Sequence, residues 1–178
     1  EAVKFARINH IPFFGVCLGL QIAVIEFARN VMGIEDANST EMDPESKNPV
    51  IGLMEEQKNI EQMGGTMRLG SYPCELIKGT KSSAAYGKSK IQERHRHRYE
   101  FNNKYLKKFE EKGMIASGLN PDSGLVEIME IAAHPWFVGT QFHPEYKSTV
   151  ANPHPLFVAF VKAAVDYKNN DNRASMAQ

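Results

Sequence analysis

Gly15-Val16-Cys17-Leu18-Gly19 lies between an apolar run, Phe13 to Val16, and an apolar helical stretch over 20–32 that Gly33 closes. A run that short and that uniformly apolar suits a strand buried on both faces. To leave such a strand and enter a helix at once, the chain must turn abruptly, and glycines two positions either side let the backbone close without Cβ clashes. The cysteine then projects from a strained turn with its sulfur near a helix N-terminus, whose partial positive charge favours thiolate. The N–H of Leu18 points to where an oxyanion would form. This is the cysteine counterpart of the nucleophile elbow. The competing reading is a buried structural cysteine beside two ordinary glycines.

The segments around the elbow predict an α/β fold with a mostly parallel sheet flanked by helices and a small antiparallel portion. Residues 1–10 place Val3, Phe5, Ala6 and Ile8 among Glu1, Lys4, Arg7 and Asn9, as an amphipathic helix would. The polar stretch 34–50 reads as loop, and 55–65 continues that character to Gly64-Gly65. Residues 66–77 suggest antiparallel β structure, 81–88 a short helix, and 91–101 a strand near a surface. A helix over 103–112 stops at Gly113. Strands are expected at 114–118, 125–131 and 136–142, and an amphipathic helix at 155–167. One domain over 1–167 and a frayed polar tail over 168–178 are the expected organisation. The opening EAVKFARINH reads as a helix already under way without an initiator Met, so upstream sequence is expected.

His143-Pro144-Glu145 directly follows the last apolar strand. A thiol nucleophile needs an imidazole to take its proton and a carboxylate to hold that imidazole in the right tautomer. A proline between the two fixes φ and keeps them in a rigid turn. Cys17 and His143 both follow strands, where open α/β sheets place their sites. The other reading is a histidine ending a strand beside a solvated loop acid.

The 178 residues are 42% hydrophobic, enough for one buried core, and 21 basic residues balance 21 acidic ones. A neutral chain offers no global attraction to nucleic acid or to an anionic membrane. The stretch 11–25 is too polar to span a bilayer. Two cysteines fit a reducing, cytoplasmic setting and no disulfide framework. His95 and His97 stand two apart on a strand as metal ligands can, but three interleaved arginines repel a cation, so no metal is expected.

Gly15 to Gln21, GVCLGLQ, together with QFHPE at 141–145, resembles the class I (triad-type) glutamine amidotransferases. The blocks DANSTE at 36–41, GGTMRLG at 64–70, ERHRHRYE at 93–100 and HPLF at 154–157 resemble the CTP synthases within that group, over residues 1 to 166. The resemblance implies a flavodoxin-like fold whose N-terminal strands are truncated here. It implies a catalytic triad of Cys17, His143 and Glu145, with glutamine met by Leu18, Gln21, Glu41 and Arg98. Glu41 would take the α-ammonium and Arg98 the α-carboxylate, which suits a planar guanidinium. It also implies a parent enzyme that aminates UTP to CTP with ATP and Mg²⁺ in an N-terminal synthase domain. GTP would be its allosteric activator and the assembly a homotetramer. No cofactor is expected in this portion. The family supplies a second oxyanion N–H from a Gly-rich loop upstream of Glu1, so the chain alone is expected to be a weak glutaminase or inactive. The alternatives are part of some other class I amidotransferase, and a non-catalytic assembly module.

Overall fold

Pro12 separates the opening helix α1 (Ala2–Ile8) from strand β1 (Phe13–Val16), and Cys17 alone separates β1 from helix α2 (Leu18–Asn30). The computed structural model describes residues 1–53 and 67–176. The loop expected over 55–65 and the start of the block at 64–70 lie outside them. The chain continues through β2 (Ala37–Ser39), β3 (Asn48–Gly52), β4 (Arg68–Leu76), α3 (Lys81–Tyr86), β5 (Lys90–His97) and β6 (Glu100–Phe101). It ends with α4 (Leu106–Glu111), β7 (Met114–Leu119), β8 (Val126–Ile131), β9 (Phe137–Thr140) and α5 (Pro155–Met176).

The larger sheet runs β1-β9-β8-β7-β4-β5, and a smaller one runs β2-β3-β6. The sheet is mixed, as an α/β fold allows, but it is not mostly parallel. Among the described residues of the larger sheet only β1 and β9 pair in parallel, Gly15 opposite Gly139. The other pairings are antiparallel. Parallel neighbours need a crossover of a dozen residues or more, whereas β7, β8 and β9 are joined only by residues 120–125 and 132–136.

Both faces of the sheet are covered. Leu20, Val24 and Phe27 of α2 pack with Phe101, Phe109 and Phe137 on one side, while Leu156 of α5 joins Trp136, Val138 and Phe142 on the other. Consecutive residues Phe137 and Val138 thus enter different clusters, as strand alternation requires. Arg7 of α1 grips Glu26 of α2 with two hydrogen bonds, 2.9 and 2.7 Å.

Two expected boundaries change. The loop assigned to 34–50 contains β2 and begins β3, because their polar residues are held by specific partners: Ser39 is fully buried, and Arg29 donates to the Ala37 carbonyl at 2.7 Å. The closing helix continues to Met176, past the expected stop at 167, because nothing in the polar sequence beyond 167 breaks it.

Candidate active site

The elbow forms as its glycine spacing requires, with an asymmetry the sequence hides. Cys17 takes φ 51° and ψ −104°, and only His10 shares its positive φ among the described non-glycine residues. A Cβ on Gly15 would lie 2.6 Å from the Gly19 carbonyl carbon and 2.7 Å from its oxygen. A Cβ on Gly19 would meet nothing within 4 Å. Gly15 is therefore the residue the turn cannot replace, and the Gly19 backbone is what it packs on. The Cys17 N–H donates to the Thr140 carbonyl at 2.7 Å, tying the nucleophile candidate to the end of β9.

The sulfur is not poised as a thiolate. Burial pushes the Cys17 thiol up; the Leu18 N–H pulls the other way, and the charges of Glu145, Glu100 and Glu41 add to the rise. The helix terminus expected to lower it is outweighed by desolvation, so this thiol needs a base. Cys74 is fully buried, and burial beside Glu127 and Glu93 pushes its thiol far higher.

His143 and Glu145 sit on a 3₁₀ turn beyond β9, with Pro144 at its start. His143 Nδ1 and Glu145 Oε1 are 2.6 Å apart. With the proton donated from Nδ1 to the carboxylate, the Nε2 lone pair is the free acceptor, and Nε2 is buried without a hydrogen-bond partner. The His143 N–H bonds the Arg94 carbonyl at 2.8 Å, so β5 also fixes the turn.

A cleft of about 410 Å³ brings Cys17, Leu18, Gln21, Glu41, Arg98 and Tyr99 together. Five positions picked from three parts of the sequence thus line one cavity; His143 and Glu145 do not line it, but their turn follows β9, and the Glu145 charge acts on the Cys17 thiol. Glu41 and Arg98 are exposed. The Glu41 N–H bonds the buried Ser39 hydroxyl at 3.2 Å, which anchors the loop that carries it. Gln21 differs from expectation. It is only 3% exposed, and its Nε2 is 3.0 Å from the Tyr99 carbonyl and 3.3 Å from Gln141 Oε1, so its amide donors serve the protein. Gln141 was singled out for no role by sequence, yet its Nε2 lies 3.7 Å from the Cys17 sulfur. The available signal was its place two residues before His143.

The arginine–histidine run of β5 divides by strand alternation. Glu93, His95 and His97 point inward, while Arg94 and Arg96 face out. The histidines bond each other, His95 Nδ1 to His97 Nε2 at 2.8 Å, and Arg68 reaches Glu100 at 3.1 Å and Glu127 at 2.7 Å beside them. No group of three or more His, Cys, Asp or Glu able to hold a metal occurs among the described residues. None of the described helices is long and apolar enough to cross a membrane.

This buried cluster predicts a definite stability profile with pH. Burial raises Glu100 from 4.5 to about 8 against the pull of Arg68, and raises Glu127 too. Burial and the Arg68 charge lower His95 from 6.5 to about 2 and His97 to about 3. A raised carboxyl stabilises the fold fully below its unfolded value and loses that contribution as pH climbs through its folded one; the lowered histidines do the reverse. The two effects oppose each other between pH 4.5 and 6.5. The cluster's contribution is therefore expected to lower the thermal midpoint from pH 6.5 towards 8, as the raised Glu100 gives up its proton while the histidines are already neutral. Glu100→Gln, which mimics the neutral acid, should lose much of that slope; an unchanged slope contradicts the assignment.

A mixed sheet flanked by helices, with an elbow cysteine ending β1 and a His-Pro-Glu turn beyond its neighbour β9, has the architecture of a class I glutamine amidotransferase. The chain belongs to that family, whose model, glutamine amidotransferase class-I, matches residues 1–163. It is similar to the CTP synthase of Cytophaga hutchinsonii, 69% identical over 166 residues that make up 93% of this chain and 31% of the relative. The CTP synthase of Christiangramia forsetii is 60% identical over all 178 residues, 33% of its own length. The chain thus spans about a third of the curated relatives it matches. A solved Trypanosoma brucei CTP synthase glutaminase domain with bound acivicin is 38% identical, with a TM-score of 0.88 over 93% of this chain and 64% of its own. A solved GMP synthase-like protein from Thermoplasma acidophilum, 15% identical with a TM-score of 0.60, covering 96% of this chain and 66% of its own, shares the fold.

Proposed function

We propose that the chain carries the Cys17, His143 and Glu145 machinery that hydrolyses the side-chain amide of glutamine, that it works weakly or not at all by itself, and that within a longer enzyme the ammonia feeds the ATP-dependent amination of UTP. The observation that carries this reading is the single cleft onto which Cys17, Leu18, Gln21, Glu41 and Arg98 all open. Arg98 and Glu41 give it opposite charges, which suit the α-carboxylate and α-ammonium of a free amino acid. His143 Nε2 removes the Cys17 proton, and the thiolate attacks the amide carbon. The Leu18 N–H serves the developing oxyanion. His143 returns the proton to the departing ammonia, Glu145 holds the imidazole throughout, and water hydrolyses the glutamyl thioester. A bound glutamine meets the carbonyl oxygen of Gln21, since its N–H groups are engaged. The similarity to CTP synthases, with the chain matching a third of their length, supports the assignment of the ammonia to UTP and of ATP, Mg²⁺ and GTP to the longer enzyme.

A glutamine-like diazo-ketone tests the reading. It should form a single adduct at Cys17, located by mass spectrometry, and millimolar glutamine should protect. An adduct at Cys74, or none at Cys17 in the longer enzyme while iodoacetamide still modifies it, overturns the proposal. Acivicin, the ligand of the Trypanosoma brucei domain, should compete for the same cleft.

A further inference from the structure

We propose that Gln141 is a further catalytic residue, the donor that holds the Cys17 sulfur once its proton has left, and that Gln21 is the positioning residue that fixes which end of the Gln141 amide faces it. The inference rests on the reading of Cys17 as the nucleophile. Its geometry stands on one chain of hydrogen bonds whose direction has no freedom.

A glutamine amide turned end for end occupies the same space, so its neighbours decide which end is nitrogen. The chain starts at the Tyr99 carbonyl, which can only accept. Gln21 must therefore offer Nε2 to it, at 3.0 Å. The same nitrogen carries a second hydrogen and lies 3.3 Å from the Gln141 amide, so the Gln141 atom there is the oxygen. The Gln141 nitrogen is left for the sulfur, 3.7 Å away. Reversing either amide would set two donors or two acceptors against each other. Gln21 is 3% exposed and Gln141 fully buried, so water cannot repair such a mismatch. The Tyr99 carbonyl is itself steadied by His97 Nδ1 at 3.2 Å, and the Gln141 main chain by its N–H to the Glu127 carbonyl at 2.8 Å.

Function explains why so polar a side chain stands in the core. An apolar residue at 141 would avoid the cost of burying an amide. Beside the sulfur, however, the amide does what no apolar group can. The Cys17 S–H bond breaks, the proton passes to His143 Nε2, and the electron pair stays on sulfur. That negative charge forms near Glu145, Glu100 and Glu41, which oppose it, with the Leu18 N–H in its favour. A second N–H on the sulfur strengthens as the charge appears, because a hydrogen bond to an ion is about twice as strong as a neutral one. It thus favours the activated state over the resting thiol.

The test reads the sulfur directly, with iodoacetamide, which does not resemble glutamine, so its outcome is separate from that of the diazo-ketone. The rate of Cys17 alkylation is followed against pH by mass spectrometry in Gln141→Glu and Gln141→Met, with circular dichroism to confirm folding. Both variants remove the donor. Both profiles should move up, by about one pH unit or a tenfold loss of rate at fixed pH. Unchanged profiles in folded variants overturn the proposal. A shift in the glutamate variant alone also overturns it, since that would be charge repulsion without a role for the donor. Should neither variant fold, Gln21→Met decides, because it releases the Gln141 amide without touching the residue at the sulfur. Its profile must also rise, and an unshifted one overturns the proposal.

Discussion

In the longer enzyme, Cys17→Ser is expected to abolish adduct formation with the diazo-ketone and to lower ammonia release from glutamine by about 10⁴-fold or more relative to the unsubstituted enzyme. The substitution exchanges one atom at a position that tolerates it. Serine can hold the same backbone, so the Tyr99–Gln21–Gln141 chain and the cleft stay in place. What changes is the acidity of the attacking group: a hydroxyl is far harder to deprotonate than a thiol, and desolvation already works against the thiolate here. His143→Ala should cost about 10² to 10⁴ in rate, the usual contribution of a positioned general base. Its effect should shrink as pH rises, because hydroxide then removes the proton that imidazole no longer takes. Glutamine binding should change little in both variants, since Glu41 and Arg98 are untouched. Retained turnover in Cys17→Ser would refute the nucleophile assignment. A large change in affinity with unchanged turnover in His143→Ala would move that residue to binding.

Gly15→Ala is expected to be strongly destabilising. The added carbon would meet the Gly19 carbonyl carbon at 2.6 Å, its oxygen at 2.7 Å and the Phe13 ring at 2.9 Å. The first two are backbone atoms at the start of α2, which cannot step aside as a side chain can. The helix is fixed from the sheet as well, because a Cβ on Gly139, the partner of Gly15 across the β1–β9 pairing, would meet Leu20 of α2 at 2.7 Å. Overpacking typically costs about 1–3 kcal/mol. The upper end is expected, a fall in thermal midpoint of about 6–12 °C for a chain of this size. Cys17 reactivity should fall with it, since the elbow must deform to make room. Gly19→Ala is the control: its Cβ meets nothing, and helix propensity favours alanine by about 1 kcal/mol. Equal destabilisation in the two variants would refute this account of the turn.

The elbow was legible because its determinants are local: an apolar strand, two glycines and a helix within a few residues. The His143–Glu145 pair was legible for the same reason. Glu41 and Arg98 came from the family resemblance alone, and they reach the same cleft only because the small sheet and the β5–β6 turn fold over α2. Gln141 stood only as the first letter of the 141–145 block, since its partners Gln21 and Cys17 are far away in sequence and no local pattern announces a bond to sulfur. The 91–101 strand does lie at the edge of the sheet, but which of its residues turn inward was not readable, because histidine and arginine both count as polar and only strand alternation with a buried carboxylate partner decides it. The balance of strand directions was misread because a strand–turn–helix start suggests crossovers, and the second half of the chain uses short turns.

The backbone at Cys17 also says something about what this molecule has been selected to keep. Its φ of 51° is an angle glycine adopts freely and other residues only at a cost of about 1–3 kcal/mol. A chain optimised for endurance alone would carry glycine there. Marginal stability leaves proteins few such concessions, and this one is made at the residue that bears the sulfur. On the proposed role of Cys17, the least comfortable position in the turn is a record of purpose: folding strength is surrendered there so that a nucleophile can stand at the end of the strand that supports it.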